Sequence, residues 1–195
     1  DVIGCMSPAN IAYLRSHYAL LPGQKVALLP IYGDVSAAPP APREAVRKRY
    51  ALPEGVPIVL FGGQITEGRG IAEIIETARL SHTHGDPTFF LLIGTGRLTP
   101  LVEAYIAEGA GNMAWIAQLP RDEYLTVATA CDLGLVITVA DVDVPTFPSK
   151  TIDYLRAGLP IIAAVEESTD YGTFVETHGF GHAITAGDPN ALRRT

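Results

Sequence analysis

The stretch Pro57-Ile58-Val59-Leu60-Phe61-Gly62-Gly63-Gln64-Ile65-Thr66-Glu67-Gly68-Arg69-Gly70 runs from branched and aromatic residues into a glycine-rich turn. A strand without a polar face must be covered on both sides, which is how the strands of parallel α/β sheets read. Beyond the turn, Ile71, Ile74, Ile75 and Ala78 fall on one face at three- and four-residue spacing and predict a helix over Gly70 to Leu80. Strand, tight glycine turn and helix in that order make the opening unit of a doubly wound, Rossmann-like sheet.

The same alternation continues to the C-terminus. Strands are predicted at Pro57–Phe61, Thr88–Ile93, Met113–Ile116, Leu133–Thr138, Pro160–Ala164 and Gly181–Thr185, and further helices at Leu98–Glu108, Arg121–Ala130, Lys150–Ala157 and Tyr171–His178. The first residues read differently. Val2 to Met6 predicts a strand, Ser7 an N-cap, Pro8 to His17 a helix and Lys25 to Leu29 a second strand. Such a unit cannot bury both faces of its sheet alone, so residues 1–36 are read as the tail of a preceding domain. The prolines of Ala37 to Pro42 cannot join a sheet interior, and residues 37–50 are read as a stiff linker before a domain spanning 51–195.

Composition sets the class of partner. A chain of 195 residues with 48% hydrophobic and 18% charged residues is an ordinary globular one. Its net charge of −7 and lack of Lys/Arg clusters disfavour nucleic acid and anionic membranes, which leaves small molecules. Cys5 and Cys131 are too few and too far apart for a disulfide framework or a zinc site, and a reducing compartment, the cytoplasm, is expected. The opening on Asp1 without Met or signal peptide is read as an internal start of a trimmed chain.

Three turns carry the chemistry. In the first, Gly63 lets backbone approach a ligand and Arg69 offers a two-pronged phosphate contact; a loop that merely needs positive φ angles explains the glycines equally well. In the second, Gly94-Thr95-Gly96 follows a strand at the edge where open sheets bind ligands, although tight-turn geometry accounts for it too. In the third, Pro148 and Ser149 suit a helix start whose dipole would hold a diphosphate, Lys150 adds charge, and Asp153 stands one turn on, placed to accept bonds from the hydroxyls of a ribose. The bland alternative makes Asp153 a first-turn acid that suits the dipole and Lys150 a surface residue. His82 and His84 are read as flanking a solvated turn, and no metal site is expected.

Taken in order, these loops resemble the C-terminal domain of GT-B glycosyltransferases, especially the large retaining group 1 family that includes many bacterial surface-polysaccharide enzymes. The resemblance covers Val56 to Asp188, and the first fifty residues resemble the end of that fold's N-terminal domain and its crossing linker. The family's Gly-Arg and Lys-Gly, whose basic residues hold the donor diphosphate, correspond to Gly63-Gln64 and Arg69-Gly70; Gln64 has lost a charge, which implies weaker phosphate binding or a substitute cation such as Lys150. Gly94 and Gly96 correspond to the family's second glycine turn, and Ala117, Gln118 and Leu119 to the residues facing the nucleobase. The family's two glutamates fall on Pro145 and on Asp153, the latter ahead of Ala157-Gly158-Leu159-Pro160. The segment Phe147-Pro148-Ser149-Lys150 is similar to a subgroup acting on amino- and deoxysugar nucleotides, for example fucosamine transferases.

The resemblance implies the donor-binding part of a retaining transferase that moves a sugar from a nucleotide diphosphate sugar, UDP favoured, to a hydroxyl acceptor in polysaccharide or glycoconjugate synthesis. No cofactor or metal is implied. The catalytic residues and any contact with the inner face of a membrane are assigned to the chain's own N-terminal domain. Two other readings keep the fold: a nucleotide-sugar epimerase of the UDP-N-acetylglucosamine type, and a non-catalytic binding domain.

Overall fold

In the computed structural model, which describes residues 1–34, 36–38 and 41–195, the chain starts with β1 (Val2–Cys5), α1 (Pro8–His17) and β2 (Lys25–Leu28). The two strands pair in parallel as a sheet of their own, and Ser7 caps α1 by accepting a bond from the Asn10 N–H at 3.2 Å. Apolar side chains stand bare on this unit, with Val2 66%, Leu21 67% and Tyr32 88% exposed. A two-stranded sheet leaves such surface uncovered because it has no second layer to pack on.

Next come α2 (Arg43–Arg49), β3 (Ile58–Gly62), α3 (Ile71–His84), β4 (Phe89–Ile93), α4 (Thr99–Ala107), β5 (Met113–Ile116) and α5 (Arg121–Ala128). After them follow β6 (Leu133–Ile137), α6 (Lys150–Arg156), β7 (Ile161–Val165), α7 (Tyr171–Thr177), β8 (Gly181–Thr185) and α8 (Pro189–Arg194). Strands β3 to β8 form one parallel sheet in the order β5-β4-β3-β6-β7-β8. The order reverses between β3 and β6, and open sheets bind ligands beyond the strand ends at such a point.

Alternate residues of each strand enter two separate cores, which is why the strands read as unbroken apolar runs. Ile58, Leu60, Val136 and Ala163 face α2, α5, α6 and α7 through Val46, Val127, Tyr154 and Val175. Val59, Phe61, Leu135 and Ile137 face α3, α4 and α8 through Ile74, Val102 and Leu192. Shortening a large aliphatic in either layer to alanine costs about 2–5 kcal/mol.

Three differences from the sequence reading have local causes. Within the segment read as an extended linker, 37–50, Arg43–Arg49 is a helix packed on the domain, while Pro39 and Pro40 lie outside the described residues. Arg47, 4% exposed, donates to the carbonyls of Ala130, Pro53 and Val56 and pairs with Asp132 at 2.7 Å. The helix α3 continues past Leu80 to Gly85, which ends it in the left-handed conformation at φ 72°, so His82 and His84 belong to its last turn rather than to a loop. Finally, α8 was not foreseen, although Asp188 accepts from the N–H groups of Asn190 and Ala191 and Pro189 occupies the first turn, a legible helix start.

Candidate functional site

At the β3–β6 switch point, the loops that follow β3, β4, β5 and β6 enclose an open cleft of about 910 Å³. That is the size of a small-molecule or cofactor site. Met6 and Ile31 of the N-terminal unit also line it. They are held there by two bonds from α1: the Ala9 N–H to Asp170 at 3.0 Å and Asn10 Nδ2 to the Pro145 carbonyl at 2.6 Å.

The cleft floor is built by backbone contact. A Cβ at Gly94, whose φ is 146°, would lie 1.8 Å from the Gly63 carbonyl oxygen, so only glycine lets the β3 and β4 turns meet. Gly63 and Gln64 are exposed on this floor. Gly96 is different. It is not among the residues that line the cleft, and a Cβ there would sit 2.2 Å from the Ile65 carbonyl oxygen, so loop packing by itself requires the glycine.

Two cations enter the cleft. Arg69 stands just before α3, and Lys150 opens α6 with its ammonium 3.7 Å from the centre of the Phe61 ring. Neither has an acidic partner among the described residues, whereas Arg43, Arg47, Arg79, Arg121, Arg156 and Arg193 each do. Burial, and after it the charge of Arg69, push the Lys150 pKa down to about 7. Two basic side chains without acidic partners among the described residues, facing one cavity, suit an anionic ligand, whose charge would favour the protonated Lys150. The start of α6 brings Ser149 and the positive end of the helix to the same place.

Asp153 lies one turn into α6, and its side chain is 16% exposed. Arg121 grips it from the start of α5, with Nη2 2.6 Å from Oδ1 and Nη1 3.4 Å from Oδ2. Ala117, Gln118 and Leu119, from the loop between β5 and α5, line the same cleft. Phe147 closes the wall, edge-on to Tyr171 and Phe174 at 5.2 Å from each ring. One cavity therefore gathers Gly63, Gln64, Arg69, Gly94, Ala117, Gln118, Leu119, Phe147, Ser149, Lys150 and Asp153.

Several positioning groups were not picked out from the sequence. Tyr154, fully buried at the switch point, accepts from the Gly62 N–H and lies 3.1 Å from the carbonyls of Leu60 and Leu135, which anchors α6 to both central strands. Glu166, 2% exposed at the end of β7, accepts from the Thr146 N–H at 2.7 Å and from the Thr138 hydroxyl at 2.5 Å, fixing the loop ahead of Phe147. Tyr124 stands over Gly62, where a Cβ would fall 2.1 Å from its hydroxyl. Burial, then the charge of Asp153, raise the pKa of that phenol. An acid following an apolar strand, as Glu166 follows Ile161 to Val165, was the one readable hint.

No family model matches the chain. It is similar to 2-deoxystreptamine glucosyltransferase of Streptomyces kanamyceticus, 29% identical over 133 residues, 67% of this chain and 33% of that protein. It is also similar to the putative colanic acid biosynthesis glycosyl transferase WcaI of Escherichia coli, 26% identical over 135 residues, 69% of this chain and 33% of that one. The chain thus spans about a third of the length of the curated relatives it matches.

Among solved structures, sucrose-phosphate synthase from Thermosynechococcus elongatus superposes over 100% of this chain and 47% of its own, with TM-score 0.75 and 22% identity. The C-terminal domain of a glycosyl transferase group 1 family protein, LpcC of Francisella tularensis, matches 84% of this chain and 85% of its own, with TM-score 0.62 and 16% identity. The pneumococcal O-GlcNAc transferase GtfA, solved in complex with UDP and GlcNAc, covers 100% of this chain and 36% of its own, with TM-score 0.70 and 11% identity. The fold is that of the C-terminal half of GT-B glycosyltransferases, and the sequence relatives are glycosyltransferases.

Proposed function

We propose that the chain is the donor-binding part of a retaining glycosyltransferase, which transfers a sugar from a nucleotide diphosphate sugar to a hydroxyl acceptor in bacterial polysaccharide or glycoconjugate synthesis. The observation that carries this reading is the make-up of the cleft: Arg69 and Lys150 line it without an acidic partner among the described residues, together with Asp153 and with Ala117, Gln118 and Leu119. A nucleoside diphosphate carries the complementary groups: an anionic diphosphate, a hydroxyl pair and a flat base. Arg69, Lys150, Gly63, Gln64, Gly94 and the start of α6 would hold the diphosphate. Asp153 would accept from the ribose and the 117–119 loop would frame the base.

In transfer, the bond between the anomeric carbon and the diphosphate oxygen breaks, and the acceptor hydroxyl oxygen forms the new bond as its proton leaves. Cations and helix dipole then stabilise charge growing on the leaving diphosphate. The remaining apparatus is assigned to an N-terminal domain laid on the bare apolar surface around β1 and β2. UDP is the favoured diphosphate, in line with the ligand of GtfA. Transfer is favoured over epimerisation because the matched curated proteins are glycosyltransferases. Among the described residues, no helix is long and apolar enough to cross a membrane.

The test is product analysis with the full-length protein, UDP-sugars and a panel of sugar-lipid and aminocyclitol acceptors. The expected outcome is acceptor-dependent release of UDP with a glycosidic bond of the donor's own anomeric configuration. An epimerised free donor without acceptor would replace this reading with the epimerase one, and no turnover of any donor would remove it.

A further inference from the structure

We propose that Arg121 determines the selectivity of this site for a ribose over a deoxyribose, by holding the Asp153 carboxylate with its free lone pairs toward the cleft and keeping it away from Lys150. The proposal rests on the ribose reading of Asp153. Its first support is the geometry of the pair. Arg121 approaches both carboxylate oxygens, at 2.6 and 3.4 Å, so the group is gripped at two points and cannot turn freely. Each carboxylate oxygen has about two lone-pair sites, and Arg121 takes one on each. One site per oxygen then remains for a vicinal diol.

The second support is what the pair prevents. Lys150 and Asp153 are three residues apart on α6, the spacing at which an ammonium and a carboxylate find each other on a helix. They do not pair here: Asp153 binds Arg121, and Lys150 lies over Phe61 with its charge open to the cleft. Arg121 therefore keeps the Asp153 carboxylate from neutralising Lys150 and leaves both groups to the cleft.

The third is the position of Arg121 itself. It is the first residue of α5, where the helix dipole disfavours a cation, and Asp153 is its acidic partner among the described residues. It directly follows the 117–120 loop, so the bond ties that loop to α6 at the cleft.

The experiment measures, by calorimetry, the dissociation constants of UDP and 2′,3′-dideoxy-UDP for the wild-type chain and for Arg121→Gln, Arg121→Lys, Asp153→Asn and the Arg121→Gln/Asp153→Asn double variant. Arg121 is 62% exposed, and an unchanged far-ultraviolet spectrum and unfolding midpoint establish that each variant is folded. Wild type is expected to prefer UDP about tenfold or more, the worth of hydrogen bonds to a charged group. Arg121→Gln and Asp153→Asn should each bring the ratio to within about threefold of unity, the double variant should go no further, and Arg121→Lys should restore part of it.

If Asp153→Asn abolishes the preference and Arg121→Gln leaves it intact, the ribose reading stands and the role of Arg121 is overturned. A gain in UDP affinity in Arg121→Gln would overturn it as well, by making Arg121 a competitor of the ligand. If neither variant alters the ratio, or the wild-type chain binds no UDP, the ribose reading fails and takes the proposal with it.

Discussion

Lys150 shows how one residue was half legible. Its place at the start of a predicted helix, beside a glycine turn that lacks a second cation, made it a candidate phosphate ligand; the ring of Phe61 beneath its ammonium and the cost of its burial exist only in three dimensions. With its pKa near 7, Lys150 is about half protonated at neutral pH in the unliganded chain. A diphosphate favours the charged form, so binding takes up a proton above pH 7. UDP affinity should therefore fall between pH 7 and 9, by up to about tenfold per unit for the single proton involved. For the unliganded fold the sign is opposite: between about 7 and the ordinary 10.5 the unfolded chain holds more protons, so stability rises with pH across that window. Lys150→Met should flatten the pH dependence, weaken UDP roughly 10- to 100-fold and leave the unfolding midpoint at pH 7 no lower than wild type. Titrations at three pH values together with thermal unfolding check all three. Gly96 teaches the reverse lesson. The same spacing that placed Gly94 in the cleft placed Gly96 against Ile65, and no pattern of glycines distinguishes a ligand from a neighbouring carbonyl.

Among elements, the strands were the most legible because burial on both faces demands apolar runs, and β5 and β8 begin and end where the residues predicted. Helices were read where an apolar stripe marked them, and α2 was missed because Arg-Glu-Ala-Val-Arg-Lys-Arg has almost none. What docks α2 is a charged side chain, Arg47, whose guanidinium satisfies three carbonyls and Asp132 beneath the helix. The Asp132 carboxylate also accepts from the Ile58 N–H at 2.8 Å, so the cluster ties α2 to the first strand of the main sheet. Removing one partner of a largely buried ion pair leaves the other and the carbonyls unsatisfied. Arg47→Leu should cost about 3 kcal/mol, which lowers the thermal midpoint by roughly 6 to 12 °C in a domain of this size. A loss below about 2 °C in calorimetry would show that α2 is an appendage, as the linker reading supposed. Tyr154 belongs to the same class. Its helix was predicted, but its hydroxyl bridging β3 and β6 depends on strand order, which one-dimensional periodicity does not carry.

For the molecule as a whole, doubly wound architecture was legible from the alternation of strand and helix, and the N-terminal unit from its separate strand-helix-strand pattern. The position of that unit was not. Residues Ala9 and Asn10 reach Asp170 and Pro145, more than a hundred residues away, and this long-range docking hangs Met6 and Ile31 over the cleft. The site is framed by two units, and apolar surface stands bare on the smaller one. The central claim, however, concerns this chain alone: its cleft holds a nucleoside diphosphate with the anionic end at Arg69 and Lys150. Calorimetric titration of UDP, GDP, ADP and dTDP into the folded chain, with Lys150→Met and Asp153→Asn beside it, tests that claim most directly. One of the four, UDP first, is predicted to saturate a single site with a dissociation constant below about 1 mM, a modest −4.1 kcal/mol, and both variants are predicted to weaken it. A folded chain that takes up none of the four, or that binds one equally well after both substitutions, would contradict the account.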